Sequence, residues 1–105
     1  MTEVLVDARA RFDRGPFISA QAGDAVFLIE EATGDSFRLD GAGPRYWELL
    51  CAGQELGAVA GTVTAETDAT EDVVADDLVA FVHELVEIGA LVPVAGDARG
   101  APEGR

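Results

Sequence analysis

Few residues of this chain could carry covalent chemistry. There is one histidine, His83, one cysteine, Cys51, one tyrosine, Tyr46, and no lysine. The absence of a lysine amine excludes Schiff bases, phosphate-loop lysines and Ser-Lys dyads. His83 stands among acidic and apolar neighbours, with no cysteine or serine nearby in sequence to complete a catalytic pair. It is expected at the surface or its boundary. Cys51 falls on an apolar helical stripe, which predicts a small buried hydrophobe. The pairs Asp76-Asp77 and Glu30-Glu31 offer carboxylates. Neighbouring residues on a helix diverge by about 100° and rarely share an ion, and no further ligand stands at a telling spacing. The expectation is a chain with no catalytic set, no metal site and no cofactor.

What the chain has in abundance is negative charge. Twenty acidic residues stand against seven basic ones, all arginine, for a formal net charge of −13. Nucleic acids and anionic membranes demand basic patches, so neither is an expected partner. The 105 residues make one ordinary domain, and 49% hydrophobic content is enough for a core without staples. A single cysteine forbids an intrachain disulfide and suits a reducing, cytoplasmic setting. No apolar run approaches the ~18 residues of a membrane span. Met1-Thr2-Glu3 lacks the basic start of a secretory signal. A binding or interaction module is the class that remains.

The hydrophobic pattern divides the chain. Residues 1–15 form an N-terminal segment expected to be partly ordered. Val4, Leu5 and Val6 could make a short strand, and 7–15 has no clear period. Residues 16–94 read as the folded domain, and 95–105, with no large apolar side chain, as a disordered tail. Within the domain, 17–22 runs into the turn pair Gly23-Asp24, followed by the apolar run 25–29. A loop containing Gly34 leads to the alternating Ser36-Phe37-Arg38-Leu39. This predicts a three-stranded antiparallel meander. The period then becomes helical. Asp40 or Pro44 can start a helix with Tyr46, Trp47, Leu50 and Cys51 on one face, and Gly53 can stop it. Trp47 is expected to anchor the core and Tyr46 to sit at its edge. Leu56, Val59, Ala60 and Val63 form the next stripe, before a polar loop over 65–69. Thr70 can cap a third helix with inner face Val74, Leu78, Phe81, Val82 and Leu85, ended by Gly89. Residues 90–92 read as a short closing strand blunted by Pro93. The order predicts an α+β fold compatible with a winged helix-turn-helix, three strands followed by three helices.

Two features of this layout bear on binding. The third helix carries Glu71, Asp72, Asp76, Asp77, Glu84 and Glu87 and no base. A winged helix reading DNA would set that helix against phosphates, where six like charges repel. This weighs against a transcription regulator. Such a face is either plain solvated surface or an attractor of a basic partner. The strand 36–39 carries neither Pro nor Lys to blunt an exposed edge. Either another element covers it, or it takes up a partner strand.

With these elements placed, the chain resembles a known family. The stretches Val26-Phe27-Leu28-Ile29, Gly34-Asp35-Ser36-Phe37-Arg38-Leu39-Asp40-Gly41-Ala42-Gly43 and Tyr46-Trp47-Glu48-Leu49-Leu50 resemble the PqqD family's hairpin, turn and apolar-Trp helix. Asp77-Leu78-Val79-Ala80-Phe81-Val82-His83-Glu84-Leu85, then Gly89-Ala90-Leu91-Val92, resembles its last helix and ending. The resemblance covers about residues 16–93. It implies a RiPP recognition element, a non-enzymatic module that binds the leader segment of a ribosomally made precursor peptide and presents it to modifying enzymes. Carried onto this chain, the receiving strand is Asp35, Ser36, Phe37, Arg38 and Leu39. The facing helix offers Val74, Asp77, Leu78, Phe81 and Glu84. The pattern is similar to standalone members of lasso peptide pathways, which work with a separate leader peptidase. A peptide chaperone for a radical SAM enzyme is the alternative within the family.

Overall fold

The computed structural model describes residues 8–94. The element order is β1 (Phe12–Arg14), β2 (Phe17–Ala22), β3 (Ala25–Glu30), β4 (Ser36–Leu39), α1 (Gly43–Cys51), α2 (Leu56–Glu66), α3 (Glu71–Ile88) and β5 (Leu91–Pro93). Strands β2, β3 and β4 form an antiparallel sheet in that order, with Val26 opposite Leu39 and Leu28 opposite Phe37. The expected meander followed by three helices is therefore present. The fold is α+β and winged-helix-like.

The local signals act as their chemistry dictates. Pro44 stands in the first turn of α1, where its missing N–H costs nothing. Thr70 caps α3 by accepting from the Val73 amide at 3.4 Å, with Glu71 and Asp72 beside the positive end of the helix. Gly89 ends α3 in the left-handed region at φ 87°, which a side chain would disfavour. The α2 helix runs into the stretch expected to be loop, reaching Glu66. All four residues of its predicted stripe are buried.

The N-terminal segment departs most from expectation. β1 pairs antiparallel with β5, Phe12 opposite Pro93 and Arg14 opposite Leu91. Phe12 is a core residue, only 1% exposed. The folded unit thus begins before Pro16. Three residues with one inward aromatic are too few to show a period in sequence. Val4-Val6 and the tail 95–105 lie outside the described residues.

One core joins everything. Phe12, Phe17, Leu28, Leu39, Tyr46, Trp47 and Leu50 meet Leu56, Val59, Val63, Val74, Leu78, Val82, Leu85 and Leu91. Trp47 anchors it as expected. Tyr46 is not at the edge but fully inside, and Cys51 is exposed instead of buried. The reason is shared. The α1 helix rotates Tyr46 toward α3, which turns its last residue outward. Enough of the Cys51 thiol is shielded that desolvation raises its pKa, with Arg14 opposing. Among the described residues no helix is long and apolar enough to cross a membrane.

Candidate functional site: an open strand edge beside helix α3

β4 is short, four residues, and among the described residues pairs with β3 alone. The side-chain alternation is clean: Leu39 is buried and Phe37 half-buried against the core, while Ser36 and Arg38 are exposed. Phe37 meets Phe17 across the inner face, ring centroids 6.1 Å apart. The Arg38 guanidinium lies 5.9 Å from the centre of the Phe27 ring on the outer face and 3.5 Å from Asp40.

The direction of the backbone groups follows from one hydrogen bond. Glu30 N–H donates to the Asp35 carbonyl at 2.8 Å, so Asp35 is turned toward β3. In an antiparallel ladder both main-chain groups of a residue point the same way, and the direction alternates. Phe37 and Leu39 therefore bond to β3. The N–H and C=O of Ser36 and Arg38 point to the open side, where no other backbone group meets them among the described residues. Asp35 itself sits at the hairpin end, its amide donating to Thr33 Oγ1 at 3.1 Å.

Beyond that edge runs a groove of about 410 Å³, bounded by Arg38, Leu39, the turn 40–43, and Tyr46, Asp77, Ala80, Phe81 and Glu84. Its depth depends on Gly43. A Cβ there would stand 3.3 Å from Phe81 Cε1 and 3.4 Å from Leu39 Cβ, tighter than ordinary contact. Glycine lets the start of α1 approach the Phe81 ring. Tyr46 and Phe81 pack at 5.3 Å between centroids, tilted 60°. The buried Tyr46 hydroxyl donates to Asp77 Oδ2 at 2.9 Å. Burial first, and then the bond and charge of Asp77, push the Tyr46 phenol well above its ordinary range.

The residues expected to form the site thus fall into three sets. Arg38, Leu39, Asp77, Phe81 and Glu84 line the groove together. Asp35, Ser36 and Phe37 belong to the adjoining strand and hairpin end but not to the groove wall. Val74 and Leu78, 3% and 1% exposed, lie beneath in the core and support the helix from inside. Tyr46 and Gly43 are wall residues that the sequence pattern does not single out. The sequence signal for Tyr46 is its place on the apolar face of the first helix, which marks it for the core and not for a groove.

Residues 25–91 match the family described as coenzyme PQQ synthesis protein D. The chain belongs to the PqqD family. Among curated proteins none is significantly similar in sequence. A solved structure described as TbiB1 in complex with the TbiA(beta) leader peptide is 27% identical. It aligns at a TM-score of 0.70 over 85% of this chain and 99% of that one. In fold and family the chain is a PqqD-like RiPP recognition element.

Proposed function

We propose that this protein binds the leader segment of a ribosomally synthesised precursor peptide by strand addition at β4, against α3, and delivers it to maturation enzymes without catalysing a reaction itself. The observation that carries the reading is the open edge, with Ser36 and Arg38 backbone groups turned outward beside a groove walled by α3. The similarity to a PqqD-like structure described with a leader peptide supports it. Strand addition supplies affinity through main-chain hydrogen bonds and specificity through alternate side chains. The enzymes proposed to receive the peptide are a leader peptidase and cyclase of the lasso type. The family's description, synthesis of coenzyme PQQ, favours a second reading in which the recipient is a radical SAM enzyme.

The backbone parity makes the test sharp. Arg38→Pro removes an N–H that no sheet bond uses and is expected to fold and to lose leader binding. Phe37→Pro removes a ladder bond to β3 and is expected to destabilise the sheet instead. Ser36→Ala changes only an exposed hydroxyl and is expected to bind like the parent. Titration of labelled leader into variants shown to be folded by circular dichroism decides it. Parent-like binding by folded Arg38→Pro overturns strand addition at this edge. Purified protein alone is expected to leave a precursor peptide unchanged in mass. Capture of one recipient enzyme over the other by the leader-loaded protein separates the two recipients.

A further inference from the structure

Asp77 lies four residues before Phe81 on α3, and Glu84 three residues after it. That spacing sets all three on one helical face. The three line the groove together. Phe81, partly buried against Tyr46, is an apolar floor between two carboxylates. The Tyr46 hydroxyl holds Asp77 through Oδ2. The other oxygen has no hydrogen-bond donor among the described residues, and neither Asp77 nor Glu84 is in a salt bridge there. Among the described residues the only cation on the groove wall, Arg38, lies beside Asp40. The slot therefore presents two uncompensated negative charges over an aromatic face. The open edge of β4 independently marks the same place for an extended chain.

We infer that this slot takes one lysine or arginine side chain of the bound peptide, so that Asp77 and Glu84 determine specificity at a single peptide position. The inference rests on strand addition at β4 and names what the groove selects. A long cationic side chain fits on both counts. Its aliphatic stem covers the Phe81 ring, and its charged head reaches a carboxylate beside that ring. A peptide strand lying over the slot with a neutral side chain would strip water from two carboxylates and return nothing, and an acidic side chain would be repelled. Backbone pairing at Ser36 and Arg38 is indifferent to sequence. The slot adds discrimination that the edge cannot supply.

A displayed library of random peptides selected on the full chain tests this whatever the sequence of the natural leader. The expected result is enrichment of Lys or Arg at one position of peptides whose binding is lost in Arg38→Pro. Replacing that residue by Gln should weaken binding about two- to fivefold, as for an exposed ion pair. The Asp77→Asn, Glu84→Gln double variant, shown to be folded by circular dichroism, should lose the preference for the cationic peptide over its Gln counterpart. Glu84→Arg should shift the preference toward Asp or Glu. Edge-dependent peptides with no cationic position overturn the inference and leave strand addition standing. So does a cationic preference that survives in the double variant. Failure to enrich any edge-dependent peptide overturns strand addition, and the inference with it.

Discussion

The Tyr46 phenol is both a core group and the support of a groove residue, which makes it measurable. It is the chain's only tyrosine, buried, and hydrogen-bonded to Asp77. Burial, then Asp77, raises its ionisation above the ordinary phenol range. An unfolded chain releases this proton near pH ~10, while the folded chain holds it. The stabilisation is fully present below that pH and is lost as pH rises through the folded value. Phenolate absorbance of the native protein is expected to develop only well above the pH at which free tyrosine titrates. The urea midpoint should begin to fall from about pH 10, and Tyr46→Phe should flatten that fall. The same substitution should cost about 1 kcal/mol at neutral pH for the lost hydrogen bond. A native titration indistinguishable from that of free tyrosine would sink the assignment.

Elements hold the groove in place from a distance. Arg45 on α1 donates from Nε and Nη2 to Glu66 on α2, at 3.0 and 2.6 Å, and from Nη1 to Glu48 at 3.0 Å. This two-pronged clasp keeps Glu66 below the usual carboxylate range. It links the two helices at the surface, while the core packs them together inside. The β1–β5 ribbon secures the other end of α3. Gly15 N–H donates to the Ala90 carbonyl at 2.8 Å, and a Cβ at Gly15 would overlap the Gly89 carbonyl oxygen. Gly15→Ala is therefore expected to destabilise by about 1–3 kcal/mol, the cost of overpacking a site that cannot yield. Phe12→Ala should cost about 3–5 kcal/mol, as for a fully buried aromatic. Urea denaturation of both variants checks this. Parental stability for Phe12→Ala would mean that β1 is dispensable.

Across the whole molecule, charge is the long-range signal. The net charge is −13, and α3, beside the open edge, carries six acids and no base. A leader bearing Lys or Arg is expected to associate faster with this face at low salt, because like-signed surface charges focus attraction over about a Debye length, ~10 Å at 0.1 M. Stopped-flow association rates across a salt series should fall as ionic strength rises. A flat profile would leave the acidic face as solvated surface. The dissociation rate, governed by buried contacts and backbone pairing, should respond less.

Much of this molecule is legible in its sequence. The meander, the three helices, Trp47 and the stripe of α2 follow from periods of 2 and 3.6 and from caps such as Thr70 and Gly89, which are local in sequence. The acidic surface of α3 is a property of composition. What the tertiary structure decided is non-local. The pairing of Phe12 with Pro93 spans nearly the whole domain, and no local period encodes it. The rotation of α1 that buries Tyr46, exposes Cys51 and points a hydroxyl at Asp77 is set by tertiary packing of α1 against its neighbours, including Tyr46 on Phe81. The direction of the Ser36 and Arg38 amides is open in the sequence, since either parity alternates equally well. The register against β3, shown by the Glu30–Asp35 bond, chose between them. Burial likewise separated Phe81, which reaches the groove, from Val74 and Leu78, which share its apolar pattern but lie in the core.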